Sequence, residues 1–226
     1  MAVTEPHTEP HVDTREALLD AAEKLFSEHG IQASSLRMIT QQAGANLAAV
    51  HYHFGSKEGL VRAVFARRLR PLEEERLRLL VACDEAGEAG VEQVLAAFVA
   101  PLLRRVRETP EGGQDFARLM GLAFMEPSEE LRSMLLEEFR TTADRFIAGL
   151  HERLPHLSRQ EMIWRFHFSA GAMAHVVSCS QMVERFSAGL CKCGDHESLL
   201  RYLVVFLASG LKAPATMGAE LQGEPA

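Results

Sequence analysis

The chain has 226 residues, of which 47% are hydrophobic and 24% charged, a balance that favours a globular protein with a buried core over a disordered chain. No apolar run reaches the roughly 18 residues needed to cross a membrane, and segment 1–13 lacks the apolar stretch of a secretory signal. The four cysteines form no regular framework, so we expect reduced thiols, a cytoplasmic protein and no membrane partner.

The net charge of −7 is unevenly distributed along the chain. Residues 31–70 carry a net charge of +5, whereas residues 1–30 carry −5 and residues 71–226 carry −7. Screening limits the reach of distant charges to about 8 Å at physiological salt, so a short basic segment can bind phosphates even within an acidic protein. A solvated helix face would give the same charge pattern, so charge alone does not distinguish a phosphate-binding segment from an ordinary exposed helix.

Apolar periodicity predicts helices almost throughout the chain, because strand-like alternation is scarce and Pro and Gly fall mostly between periodic stretches. We expect an all-α fold of about nine helices. They span approximately residues 14–29, 36–43, 47–53, 57–82, 90–108, 115–125, 128–154, 158–186 and 197–212. The expected organisation is a disordered arm (1–13), a small helical domain (14–56), a larger helical domain (57–212) and a disordered tail (213–226).

The stretch 35–54 is typical of a helix-turn-helix: two short helices joined by the turn Gly44-Ala45-Asn46, with Ser35 as the expected N-cap of the first. Its apolar residues can all point inward; they are Leu36, Ile39, Ala43, Val50 and Phe54. A purely structural helical hairpin could carry the same pattern, so the pattern alone leaves DNA binding open.

The segment Ala17 to Phe65, with ALLDAAEKLFSEHG and SSLRMITQQAGANLAAVHYHFGSKEGLVRAVF, resembles the DNA-binding domain of the TetR family. The matching features are AA-x-x-LF-x-x-x-G in the first helix, the AG turn and the aromatic-rich HYHFGSKEGL. The resemblance implies a bacterial repressor that binds operator DNA as an all-helical homodimer. It also implies that residues 14–56 form a three-helix helix-turn-helix DNA-binding domain and that residues 57–212 form a larger ligand-binding and dimerisation body.

Matching positions imply two groups of DNA contacts. The residues expected to face bases are Arg37, Leu47, Ala48, Ala49 and His51. The residues expected to meet phosphates are Ser34, Ser35, Tyr52 and Lys57. A guanidinium fork pairs well with guanine, and small side chains let a helix approach base edges. Alternatives stay open, because Arg37 could contact only phosphate, His51 could be a solvated surface residue and Tyr52 could mainly pack.

Large flexible apolar side chains in 115–125 and 158–186 can line an adaptable pocket, although they also simply fill cores. The stretches RLMGLAF and EMIWRFHFSAGAMAH resemble the branch of the family that responds to long-chain fatty acids or acyl-CoA thioesters. The expected ligand-binding residues are Phe116, Met120, Phe124, Trp164, Arg165, His167 and Phe168. Arg165 and His167 are the expected partners of an anionic head group, with an ordinary ion pair as the alternative for Arg165.

The last two helices are the expected dimer interface, because the resemblance implies a four-helix bundle there and operators are two-fold symmetric. Small residues in 158–186 would let a partner helix approach, and the final helix offers an apolar stripe. The expected interface residues are Ala170, Gly171, Ala174, Leu203, Phe206 and Leu207. Packing within one protomer would give a similar stripe.

Two thiols and an imidazole lie close together in Cys191-Lys192-Cys193-Gly194-Asp195-His196. They could hold zinc or form a redox-labile disulfide. A structural zinc site needs four ligands, however, and no fourth is obvious beyond Cys179, Asp195 or Glu197, so we expect an inert loop. We expect no cofactor, no metal site and no enzymatic activity, because no acid–base constellation is apparent. The expected partners are double-stranded operator DNA, a small apolar effector with an acyl chain, and a second copy of the chain. A DNA-binding regulator gated by a protein partner or by redox state, without a small-molecule effector, is the alternative.

Overall fold

The computed structural model describes residues 13–108, 129–192 and 194–216. Within these ranges the chain is helical and contains no strand. The helices are α1 (Thr14–His29), α2 (Leu36–Gln42), α3 (Leu47–Phe54), α4 (Lys57–Ala86), α5 (Val91–Glu108), α6 (Glu129–Arg153), α7 (Arg159–Phe186) and α8 (His196–Lys212). The predicted all-α class is confirmed, and the helix expected over 115–125 lies outside the described residues.

Short polar side chains fix where most of these helices begin. Each accepts a hydrogen bond from a backbone N–H two or three residues ahead, which satisfies a donor that has no partner inside the helix. These capping residues are Asp13, Ser35, Asn46, Ser158 and Asp195. The predicted cap at Ser35 is confirmed, and the helix boundaries therefore follow from local sequence.

The described residues form two compact units, one ending at Arg67 and the other starting at Arg68. The division lies inside α4, later than the boundary at residue 56 expected from the sequence. Pro71, in the first turns of the second unit, has no N–H to give to the carbonyl four residues earlier, yet α4 continues to Ala86.

An ion-pair cluster holds the start of α4 to α1 within the first unit. The Arg67 guanidinium donates to Asp20 at 2.7 Å and to Glu23 at 2.6 Å, and it lies 3.3 Å from a Glu16 carboxylate oxygen. The same unit has an apolar core contributed by all four helices. Its most buried members are Leu18, Leu19, Phe26, Ile39, Val50, Leu60, Val64 and Phe65. This packing explains why the first turns of α4 belong with the first three helices.

The second unit is built around α5, whose apolar residues pack against α6, α7 and α8. The Phe98 ring lies at the centre, 5.1 Å from the Phe146 ring and 5.0 Å from the Phe166 ring. Leu95 and Val99 are also fully buried on the same helix. Aromatic pairs at such distances contribute about 0.5–1.5 kcal/mol beyond their area burial, so this trio is a strong link among three helices.

Arg165, expected to meet a ligand head group, instead closes the C-terminal end of α8. Its Nη1 donates to the carbonyls of Gly210, Leu211 and Ala213 at 2.7–2.9 Å, and its Nη2 donates to Glu161 at 2.6 Å. These carbonyls have no partners within the helix, and a cation there also meets the negative end of the helix dipole. The guanidinium is therefore occupied by the protein itself.

The contacts of Arg165 and Glu161 with the chain after α8, which we call the clasp, depend on pH through Glu161. The backbone N–H and hydroxyl of Thr216, together with Arg165, lower the pKa of Glu161 from its ordinary 4.5 to about 2. A carboxyl with a depressed pKa in the folded state stabilises that state above its unfolded pKa and loses the contribution as pH falls. The clasp should be intact above about pH 4.5 and open as pH approaches 2.

We expect the amide of Thr216 to lose its protection against hydrogen exchange between those pH values, while amides in the middle of α5 stay protected. Glu161→Gln should expose the Thr216 amide at every pH, because the neutral amide is a weaker acceptor. Hydrogen exchange followed by NMR measures both. If the exchange rate of the Thr216 amide, corrected for the intrinsic effect of pH, is the same in the wild type and in Glu161→Gln, then Glu161 does not hold this amide.

Candidate nucleic-acid interface

The turn between α2 and α3 fixes the direction of α3. Gly44 adopts a left-handed conformation with φ of +63°, which residues with a Cβ rarely adopt. The Ala45 N–H then donates to the Thr40 carbonyl at 2.9 Å, and the Asn46 side chain accepts from the Ala49 N–H at 2.9 Å. The predicted tight turn is present, and α3 starts immediately after it.

The join between α3 and α4 is equally constrained. A Cβ added at Gly59 would lie 2.0 Å from the Phe54 carbonyl oxygen, so the two backbones can approach this closely only at a glycine. Ser56 accepts from the Gly59 N–H at 3.2 Å. Lys57 is held near the motif by this join, and its ammonium lies 3.4 Å from the Gln32 carbonyl oxygen.

The outer side of α3 carries four of the five residues predicted to face bases; the fifth, Arg37, lies on α2. Val50 is fully buried, whereas Leu47 is 49% exposed and Tyr52 is 85% exposed. Ala48 and His51 are exposed and Ala49 is partly exposed. An open groove runs along this side. Its walls are Thr14, Gly44, Ala45, Asn46, Ala48, Ala49, Tyr52 and His53.

His51 has a defined hydrogen-bonding state on this surface. Its Nδ1 lies 3.0 Å from the Gly55 carbonyl oxygen. A carbonyl only accepts, so Nδ1 carries the proton, and in the neutral ring Nε2 is left as an acceptor. The neighbouring rings of Tyr52 and His53 pack edge to face with centroids 4.9 Å apart, which restricts how Tyr52 can turn.

Two of the predicted phosphate contacts have structural tasks in the first unit. Ser34 is fully buried, and its hydroxyl donates to the carbonyls of Leu25 and Gly30 at 3.0 and 2.8 Å. Its placement does not fit the expected phosphate contact, because the hydroxyl is inaccessible. Ser35 is exposed but caps α2 by accepting from the Met38 N–H. Arg37 is exposed in the first turn of α2, as the sequence predicts.

The basic segment 31–70 is partly neutralised by the fold. Arg67 is engaged by the acidic side of α1, and Arg70 lies 3.5 Å from Glu138. The summed charge of the segment therefore overstates the positive potential available to a phosphate backbone.

The predicted ligand-binding set is divided by the structure. Phe116, Met120 and Phe124 lie outside the described residues. Trp164 and Phe168 are 54% and 63% exposed, with rings stacked 5.8 Å apart, and His167 is exposed beside them. Their expected role in lining a pocket does not fit this placement. The reason is the helical phase of α7, whose buried stripe is Met162, Phe166, Ser169, Met173 and Val177.

An apolar face, which we call the α7/α8 face, lies on the side of these helices away from the core of the second unit. Its exposed large residues are Ile163, Trp164, Phe168, Met182, Val183, Phe186, Tyr202, Val205 and Phe206. The two helices pack against each other, and large exposed apolar side chains on neighbouring helices commonly mark a protein interface. Of these residues the sequence analysis singled out only Trp164, Phe168 and Phe206. The i, i+4 spacing of Trp164 and Phe168 places both rings on one side of a helix but does not show that this side is exposed.

The expected interface residues fall into two groups. Phe206 is 69% exposed, Gly171 is exposed with open space around it, and Ala170 and Ala174 are partly exposed, all of which suits an interface. Leu203 and Leu207 are buried within their own unit, so their expected role does not fit. On α8 these two leucines belong to the inward stripe and Phe206 to the outward one.

In the loop 191–196, the role that the structure shows is the capping of α8. Asp195 caps α8 by accepting from the Ser198 N–H at 3.1 Å, and Cys191 is an exposed free thiol. Cys193 lies outside the described residues. Within the described parts of the chain, no three His, Cys, Asp or Glu side chains come together as a metal site would require. The described helices also include none that is long and apolar enough to span a bilayer.

Comparison with known proteins gives consistent matches. The model for "Tetracyclin repressor-like, C-terminal domain" matches residues 96–210, slightly more than half of the chain. The model for "Bacterial regulatory proteins, tetR family" matches residues 18–64. The transcriptional regulator SrpR of Pseudomonas putida is 28% identical over 148 residues, which cover 66% of this chain and 62% of SrpR. The chain thus spans about three fifths of the length of that relative.

Two solved structures share the fold. The fatty acid degradation regulator FadR from Bacillus halodurans has a TM-score of 0.67 at 18% identity, covering 92% of this chain and 99% of FadR. FadR from Bacillus subtilis, in complex with stearoyl-CoA, has a TM-score of 0.65 at 19% identity, covering 86% and 98%. With both family models matching in the expected order, the chain belongs to the TetR family of bacterial regulatory proteins.

Proposed function

We propose that the protein is a ligand-responsive transcriptional repressor that binds palindromic operator DNA as a homodimer. The observation that carries the proposal is the outer side of α3: small and polar side chains, exposed together, on a helix fixed at both ends by the Gly44 turn and the Gly59 contact. Such a surface suits insertion into a major groove, where a helix reads base edges.

Each exposed residue has a chemistry that suits one part of the DNA. The methyl groups of Ala48 and Ala49 can touch thymine methyl groups, and the Arg37 guanidinium can pair with guanine. In the neutral ring, Nε2 of His51 can accept from the amino group of adenine or cytosine. Tyr52 and Lys57 lie where a hydroxyl and an ammonium could meet phosphates. Ser34 takes no part, because its hydroxyl is bound inside the first unit.

The α7/α8 face supports the dimer. Its exposed aromatic and aliphatic side chains would be shielded from water by the same face of a second copy, which is the self-complementary arrangement of a two-fold dimer. Two DNA-binding units related by that axis would read half-sites about 34–36 Å apart, one helical turn of DNA. This is why we expect the operator to be palindromic.

An acyl chain is the effector that the similarities favour. The stretches RLMGLAF and EMIWRFHFSAGAMAH resemble the fatty-acid-responsive branch, and the FadR structure that shares this fold contains stearoyl-CoA. The polar end of such a ligand would not be held by Arg165, which is occupied at the end of α8. An effector alters operator affinity only if it prefers one conformation of the repressor, so the ligand must distinguish DNA-competent from released states.

The first test separates base contacts from phosphate contacts. Arg37→Ala should cost about 1–3 kcal/mol at one base pair, roughly fivefold to 150-fold in affinity, and should relax selectivity there. Lys57→Ala should weaken binding to all sequences alike and reduce the slope of log affinity against log salt by about one. Binding of operator variants over a salt series measures both effects.

Arg132→Ala is the control for this test, because it removes one exposed cation from the second unit. It should leave operator selectivity unchanged. Equal losses for Arg37→Ala on every sequence would show that Arg37 contacts only phosphate.

The second test concerns assembly. Phe206→Glu should raise the dimer dissociation constant by roughly a hundredfold or more, because burying an unpaired carboxylate costs several kcal/mol. Phe206 is exposed in one protomer, so the monomer should still fold. Val81→Glu is the matched control, since Val81 is also exposed but lies on α4. Sedimentation at several concentrations measures the dimer, and an unchanged constant for Phe206→Glu would exclude this face as the interface.

The third test concerns the effector. Acyl-CoA thioesters of about eight to eighteen carbons should release the operator at progressively lower concentrations, because each buried methylene contributes about 0.8 kcal/mol until the available space is filled. Fluorescence anisotropy of labelled operator reports the release. Coenzyme A without an acyl chain is the control, and an identical response to it would rule out recognition of the chain.

A further inference from the structure

A charged pair lies in the core of the second unit, where apolar residues would be expected. Arg76 is 2% exposed and Glu73 is 7% exposed, both on α4 and one helical turn apart. Arg76 Nη1 donates to Glu73 Oε1 at 2.7 Å, and its Nε donates to the Phe98 carbonyl at 2.8 Å. The guanidinium also lies over the Phe98 ring, 4.1 Å from its centroid. The pair thus joins α4 to the aromatic centre of α5.

One side of this pair lacks the partners that buried charges require. Among the residues that the structure describes, no group donates a hydrogen bond to Glu73 Oε2, which is shielded from solvent. Arg76 Nη2 has the Met173 thioether as its acceptor at 3.4 Å, and sulfur accepts hydrogen bonds weakly. A buried carboxylate oxygen and a buried N–H are therefore both open to a better partner.

A purely structural pair would be expected to satisfy all its polar atoms, because a partly satisfied buried network is less stable than an apolar core. Methionine is flexible and easily displaced, so a ligand atom could replace the Met173 sulfur at Arg76 without disturbing the backbone. The position suits ligand contact as well, since α4, α5 and α7 all contribute to it.

The charges restrict what can bind. A ligand carboxylate would meet Glu73 Oε2, and a ligand ammonium would meet the Arg76 guanidinium, so either charge would be repelled by one member of the pair. Burial lowers the pKa of Arg76, while the Glu73 carboxylate opposes that shift. A neutral group that both donates and accepts, such as a hydroxyl or an amide, matches both open atoms.

We propose that Glu73 and Arg76 form the polar anchor of the effector site and select an apolar molecule bearing a neutral hydroxyl or amide. The donor of that group bonds to Glu73 Oε2, its oxygen accepts from Arg76 Nη2, and its chain lies among the apolar side chains of the second unit. This inference rests on the proposed function, which supplies the apolar effector, and it adds the chemistry of the group that is bound at this pair. In an acyl-CoA thioester that group would be the amide nearest the thioester, because the thioester itself has no donor.

A series of ten-carbon compounds that differ only at one end tests the anchor. The probes are 1-decanol, methyl decanoate, decanoate and decylamine. We expect 1-decanol to bind the wild-type protein at least tenfold more tightly than the ester, which lacks a donor, and than either charged compound. Calorimetry gives the affinities, and release of labelled operator gives the response.

Two variants test whether a preference for 1-decanol over methyl decanoate arises from Glu73 and Arg76. Glu73→Leu combined with Arg76→Met replaces the ion pair by apolar groups of similar size, a change that buried pairs often tolerate. In this double variant 1-decanol and methyl decanoate should bind equally. Glu75→Gln is the matched control, because Glu75 pairs with Arg104 at 3.1 Å between the same two helices but nearer the surface. It should keep the preference for the alcohol.

The outcomes separate the anchor from the proposed function. If acyl-CoA thioesters release the operator but 1-decanol binds no better than the ester or decanoate, the anchor is wrong and the acyl effector stands. A preference for 1-decanol that persists in the double variant also excludes this pair. If neither the ten-carbon series nor the acyl-CoA thioesters bind, the acyl effector fails together with the anchor. If Glu73→Leu/Arg76→Met does not fold, Glu73→Gln tests the same point, because loss of the negative charge should admit decanoate.

Discussion

The Arg67 guanidinium is the interaction on which the geometry of the DNA-binding unit depends. It draws three carboxylates of α1 to the first turns of α4, and one of them, Glu23, is almost completely buried. Helix α3 lies between these two elements in sequence and packs on α1, so its direction is set by the same arrangement. Only the pair with Glu23 is buried, since the Glu16 and Asp20 side chains remain 48% and 74% exposed. Loss of Arg67 would therefore leave one buried carboxylate without its cation, which is the costly part of breaking the cluster. The cost is that a cation of the most basic segment is no longer available to DNA.

Much of the first unit could be predicted because its determinants are local. A serine before an apolar stretch, a glycine in a three-residue turn and the spacing of apolar residues over two short helices each act within a few positions. Ser35 and Gly44 therefore take the conformations that their neighbours dictate. The buried position of Ser34 could not be predicted in the same way, because its hydroxyl donates to the Leu25 carbonyl nine residues away, a contact that no local pattern contains.

The second unit was harder to predict because α7 has apolar residues on several sides. With Trp164, Phe166 and Phe168 in alternation, the period does not reveal which rings face inward, and tertiary packing decides. The task of Arg165 depends on carbonyls about 45 residues later in the chain. Glu73 and Arg76 lie in a run of charged residues on α4, and the sequence does not show which two of these residues are buried. Long-range packing places both arginines, and no sequence window covers it.

The position of Trp164 has a practical consequence for spectroscopy. It is the one tryptophan in the sequence, and it lies half exposed on the α7/α8 face, stacked on Phe168. Indole emission shifts to shorter wavelength when water is removed from the ring. If two protomers join through the α7/α8 face as we propose, the intrinsic emission would therefore follow their joining and separation, and dilution of the unlabelled protein would itself trace the monomer–dimer equilibrium.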